Sequence, residues 1–159
     1  MSEDNFRPMP KKAKKKKATK KTLKRTPLKK KSAKKKPKKV SKTTVKNRCD
    51  RLWSELIRSQ GYCDVCGTTE NLQAHHIITR RRLATRYMKE NGICLCAKHH
   101  QFCDIISAHT NPMAFANWFI KKYGEERLDW LQEQARNPEK WNLAKYEETE
   151  KDLKMMLGK

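Results

Sequence analysis

Six cysteines and five histidines, all between residues 49 and 109, hold most of the chemistry open to this 159-residue chain. Four of them form two spaced pairs, Cys63-x-x-Cys66 and Cys96-x-x-His99. Two such pairs on separate turns can close a tetrahedral site around Zn²⁺. Gly67 follows the first pair and suits a turn in which backbone N–H groups bond the sulfurs. Two alternatives stand beside this set: Cys103, one helical turn after His99, could replace it, and Cys94 could compete with Cys96. A structural zinc can contribute on the order of 10 kcal/mol of apparent folding free energy, which matters for a small body. Cys49 falls at apolar spacing and reads as packing.

The histidines point to a second task. His75 and His76 are adjacent in "NLQAHHII", a predicted strand over residues 72–78. Successive strand side chains face opposite sides, so the two cannot do the same job. His100 directly follows the second zinc pair, and Asn91 precedes the predicted strand "ICLC" at 93–96. Imidazole, with an ordinary pKa of about 6.5, serves as proton acceptor or as metal ligand near neutral pH.

"NLQAHHII", Asn91 and "CLCAKHH", in that order and spacing, resemble the HNH (ββα-metal, His-Me finger) nucleases of the zinc-stabilised phage and prophage type. The likeness covers residues 63–112 and extends to Asn111, Pro112, Phe115 and Trp118 of the following helix. It implies a small α+β fold: a ββα-metal finger, that is, a short antiparallel hairpin plus helix, stapled by structural zinc and flanked by helices. It implies His76 as general base, Asn91 as the residue orienting it, and His75 and His100 as ligands of a catalytic divalent ion. Relatives carry a further histidine four residues on, where this chain has Asp104; either Asp104 or His109 then completes the site. The implied activity is a metal-dependent DNA endonuclease leaving 5′-phosphate and 3′-hydroxyl ends, working with Mg²⁺ or Mn²⁺ and accepting Ni²⁺. The rival reading is a non-catalytic, zinc-stapled DNA-binding or recombination-accessory protein.

These residues need elements to position them. Periodicity predicts a first helix over 44–60, a helical excursion over 81–90, and a helix from about Ala97 through His109. Asn111-Pro112 starts another helix that ends at Gly124, and two more follow over 125–136 and about 139–156. With the resemblance, these elements imply that residues 44–159 form the nuclease domain, core motif 63–112, with C-terminal helices over 112–156.

Charge divides the chain sharply. Residues 1–48 carry 22 basic and 2 acidic side chains, while the remaining 111 carry 17 and 15. Residues 1–43 read as a disordered lysine-rich arm that condenses on nucleic acid, Lys14, Lys15, Lys16, Lys17, Lys34, Lys35 and Lys36 among its contacts. Arg80, Arg81, Arg82 and Arg86, just past the paired histidines, are further phosphate-contact candidates. The expected partner is DNA, double-stranded or branched. No apolar run reaches membrane-span length, and neither a signal-peptide pattern nor a Gly-rich phosphate loop is present. The expected setting is cytoplasmic, that of the host if the protein is phage-encoded.

Overall fold

The structure, a computed structural model, describes residues 39–159. The arm, with its named lysines, lies outside the described residues except for its last five.

Helix α1 (Lys42–Arg58) begins where the Ser41 side chain accepts a hydrogen bond from the Thr44 N–H at 3.2 Å. Val45, Cys49, Trp53, Leu56 and Ile57 form its buried stripe. Cys49 is thus a core residue, as its spacing predicts. Strands β1 (Leu72–His76) and β2 (Gly92–Cys96) pair antiparallel, Leu72 opposite Cys96 and His76 opposite Gly92. The cysteine of the second zinc pair and the paired histidines therefore mark opposite ends of one hairpin. A Cβ at Gly92 would lie 2.1 Å from Ile57 Cδ1, so this glycine lets the hairpin abut α1.

Beyond the hairpin, α2 (Pro112–Tyr123), α3 (Glu125–Arg136) and α4 (Leu143–Met156) complete the described chain. Asn111 caps α2 by accepting from the Ala114 N–H at 3.2 Å, with proline following it. Helix α4 packs along α1, closing a core with Tyr87, Trp141, Tyr146 and Leu153. A second core joins Ile93 and Leu95 of β2 to Phe115 and Phe119 of α2.

Two expected helices are absent. Residues 81–90 form successive i→i+3 turns, the Arg86 N–H donating to the Leu83 carbonyl at 3.3 Å and the Met88 N–H to that of Thr85 at 3.2 Å. Side chains bind carbonyls in and just before the segment. Arg86 Nη1 donates to the Arg80 carbonyl, and Asn91 Nδ2 to the carbonyls of Ile78 and Thr85. After β2 the chain makes only a π-helical turn, Lys98–Phe102, and extends at Cys103 (φ −88°, ψ 122°). The carbonyls of His99 and His100 accept instead from Ala108 and His109, at 3.0 and 3.2 Å. That returning loop undoes the expectation that His99 and Cys103 share a helical face, and likewise His100 and Asp104.

Candidate functional site

Cys63, Cys66, Cys96 and His99 come together in one cluster. Cys66 and Cys96 Sγ are 3.9 Å apart, and His99 Nδ1 lies 3.3 Å from Cys96 Sγ and 3.8 Å from Cys63 Sγ. A tetrahedral zinc with bonds of about 2.3 Å to sulfur and about 2.0 Å to nitrogen spaces its donors roughly 3.5–3.8 Å apart. The donor set fits zinc in both chemistry and spacing. Burial pushes the Cys63 thiol up, yet backbone N–H groups of Cys96, Cys66 and Val65 outweigh it and favour the thiolate. Cys94, with its thiol pushed up to about 11 by burial, and Cys103, carried off by the extended backbone, are outside the cluster.

At the other end of the hairpin, one ring nitrogen from each of His75, His100 and His109 lies within 4.8 Å of the others. The rings meet nearly edge to face, at 73–87°, with centroids 4.7–5.2 Å apart. Phe115 closes on His75 from behind at 5.6 Å. Burial first, then the neighbouring His100 and His109, pushes the His75 imidazole down to about 3, so its lone pair is available at neutral pH. His100 Nδ1 is buried without a hydrogen-bond partner, an orphaned atom that a cation would satisfy. Three convergent imidazoles, one of them with an orphaned nitrogen, fit a divalent ion. Of the two residues that could complete this set, the fold brings in His109; Asp104 is exposed and outside it.

His76 turns to the opposite face of β1 and stacks on Trp53, ring centroids 3.7 Å apart. Its Nε2 donates to the Arg86 carbonyl at 2.9 Å, which leaves Nδ1 as the lone-pair nitrogen. Burial lowers its pKa, favouring the neutral ring. Both faces of the strand end open on one cavity of about 530 Å³, lined by His75, His76, Thr79, Arg80, His100 and His109. Asn91 is fully buried and bonds the Ile78 N–H and the carbonyls of Ile78 and Thr85. It therefore braces the loop after β1 and makes no direct hydrogen bond to His76.

The arginines divide. Arg80, Arg81 and Arg82 are exposed. Arg86 is buried: its Nε and Nη2 hold Asp50 at 2.9 and 2.8 Å, and Nη1 holds the Arg80 carbonyl at 2.6 Å. Its guanidinium is committed inside the fold, which corrects its placement among phosphate contacts. No motif in the sequence marks Asp50 and Trp53 of α1 as site residues. Only their three-residue helical spacing hinted that they share a face.

A family model described as Bacteriophage Lambda NinG protein matches residues 2–158. The chain belongs to this NinG family. Membership bears out the expectation of a phage-type protein and says nothing by itself of an HNH domain. No curated protein and no solved structure matches this NinG-family chain. Among its described residues, no helix is long and apolar enough to cross a membrane.

Proposed function

We propose that this NinG-family protein is a metal-dependent DNA endonuclease of the HNH type, with His76 as general base. The carrying observation is the shared cavity: the lone-pair nitrogen of His76 belongs to a residue lining the same space as the three-imidazole cluster. A second metal-fit cluster, with its own donors, holds the hairpin's far end. A pure scaffold needs only one of the two.

A divalent ion held by His75, His100 and His109 would bind the scissile phosphate and neutralise charge on the leaving oxygen. His76 Nδ1, fixed by the Nε2 hydrogen bond to Arg86, takes the proton of the attacking water. Trp53 limits rotation of the ring by stacking on it. Arg80, on the rim of the cavity, supplies positive charge for a flanking phosphate. The all-nitrogen donor set favours Mn²⁺ or Ni²⁺ over Mg²⁺, which prefers oxygen ligands. A zinc held by Cys63, Cys66, Cys96 and His99 would be structural, since four protein donors leave no open position. The basic arm, by its charge alone, adds salt-dependent affinity for the polyanion.

The second reading, a zinc-stapled nucleic-acid-binding protein without catalysis, draws on the same His76 contacts, since a ring stacked on tryptophan and bonded to a carbonyl is also a settled core residue. Cleavage assays decide between them. Zinc-loaded protein with Mn²⁺, Ni²⁺ or Mg²⁺ is tested on linear, nicked, branched and single-stranded DNA. Cutting that drops roughly 10²–10⁴-fold in His76→Ala, with zinc content unchanged, supports the nuclease. No cutting of any form, or cutting indifferent to His76→Ala, overturns it.

A further inference from the structure

A second cavity, of about 410 Å³, is lined by Ile78 and Arg82 of the loop after β1 and by Gln132, Ala135 and Arg136 of α3. Gln132, Ala135 and Arg136 fall at positions i, i+3 and i+4, so they share one face of the helix. Arg82 and Arg136 come from elements 54 positions apart in sequence and converge on this space. No carboxylate lines it; Asp129 and Glu133, the other charged residues of this part of α3, do not. Neither guanidinium makes an ion pair or a side-chain hydrogen bond among the described residues, in contrast to the committed Arg86.

Two cationic forks facing one cleft repel each other unless an anion sits between them. Guanidinium geometry matches phosphate oxygens two at a time, and the Gln132 amide offers a further donor beside them. Ala135 keeps the helix surface low between the two polar side chains. The loop that borders this cleft also borders the histidine cavity, since Ile77, Thr79 and Arg80 line the one and Ile78 and Arg82 the other.

We propose that Arg82, Gln132 and Arg136 form a second phosphodiester-binding subsite, which holds the nucleic-acid backbone beside the histidine cavity. The inference rests on the nucleic-acid reading above, but not on catalysis. It gives α3 a part in binding that no sequence motif announced. The competing explanation for Arg136 alone is a cation in the last turn of a helix, interacting with the helix dipole.

The test is the salt dependence of affinity for a fluorescein-labelled DNA duplex and for its unpaired strand. The full-length, zinc-loaded protein is measured without added divalent cation, so that no cleavage intervenes. Arg136→Gln should lower the slope of log affinity against log salt by about one, and Arg82→Gln with Arg136→Gln by about two. Arg136→Lys should recover the slope, because one positive charge remains. Melting temperatures should stay close to wild type. Unchanged slopes overturn the subsite, as does a fall in melting temperature without a change in slope, which would assign Arg136 to the helix. Wild-type protein that cuts DNA while these slopes stay fixed removes the subsite and leaves the nuclease standing. Shifted slopes in a protein that never cuts do the reverse.

Discussion

His99 and His100 are consecutive residues of one π-helical turn, and they face different clusters: His99 Nδ1 sits 3.3 Å from Cys96 Sγ, while His100 joins His75 and His109. The π-helical turn and the loop returning to their carbonyls fix the backbone of both residues relative to the hairpin. A zinc held by the cysteine cluster would therefore order the backbone that presents the second cluster. His99→Ala should lose about one equivalent of zinc and a large part of the order of 10 kcal/mol that a structural zinc contributes. His100→Ala should keep its zinc and most of its thermal stability. Metal analysis with melting curves checks both; equal zinc loss in the two variants would mean the clusters are not separate.

Asp50 reaches His76 through Arg86, whose side chain it holds and whose carbonyl holds the imidazole. Burial raises the Asp50 pKa, but hydrogen bonds from Arg86 and Tyr87 outweigh it and leave the carboxyl below its usual range. A lowered folded-state pKa stabilises the fold above the unfolded value near 4, and that stability is lost as pH falls through the lower, folded value. Asp50→Asn should cost roughly 1–3 kcal/mol at neutral pH, because Arg86 stays buried without its carboxylate. It should also flatten the acid limb of the stability curve. Urea titrations from neutral to acid pH measure this, and parallel acid limbs for variant and wild type would remove Asp50 from the network.

The three imidazoles should bind Mn²⁺ and Ni²⁺ more tightly than Mg²⁺, since among the described residues no carboxylate joins them. Calorimetric titration of zinc-loaded protein should show this order. His109→Ala should weaken that binding by at least about tenfold, as loss of a ligand does, whereas Asp104→Ala should leave it unchanged. A dependence on Asp104 instead would mean that the loop rearranges when the ion binds.

The zinc set was legible because two x-x spacings describe local turns, and local turns follow from local sequence. The paired histidines were legible for the same reason, strand alternation being a property of adjacent residues. Helical periodicity misplaces residues 81–90 and 97–109 because it ignores competition for backbone groups. In the first, Asn91 takes the Thr85 carbonyl and Arg86 the Arg80 carbonyl just before the segment; in the second, Ala108 and His109 capture those of His99 and His100. His109 could not be chosen over Asp104 without knowing that return. Arg86 looked like its neighbours Arg80–Arg82 because a run of arginines does not reveal which one meets Asp50, 36 positions away.

Asn91 gives the sharpest test of how the loop supports the site. Its Oδ1 accepts from the Ile78 N–H at 2.6 Å, and its Nδ2 donates to the Ile78 and Thr85 carbonyls, each at 3.0 Å. Its own carbonyl accepts from the Ile77 N–H at 2.9 Å, a contact that survives any substitution. One amide thus ties both ends of the segment carrying Arg80, Arg81 and Arg82. Asn91→Ala should cost roughly 2–4 kcal/mol, from lost hydrogen bonds and buried groups left unpaired. Asn91→Asp keeps the acceptor for Ile78 but loses both donors and buries a charge, so the near-isosteric change should be at least as damaging. Both variants should retain zinc, because the cysteine cluster lies at the hairpin's far end. Limited proteolysis should cut between residues 78 and 86 first, and any DNA cleavage should fall along with loop protection. An Asn91→Asp protein as stable and as protease-resistant as wild type would show that the loop does not depend on the Asn91 side chain.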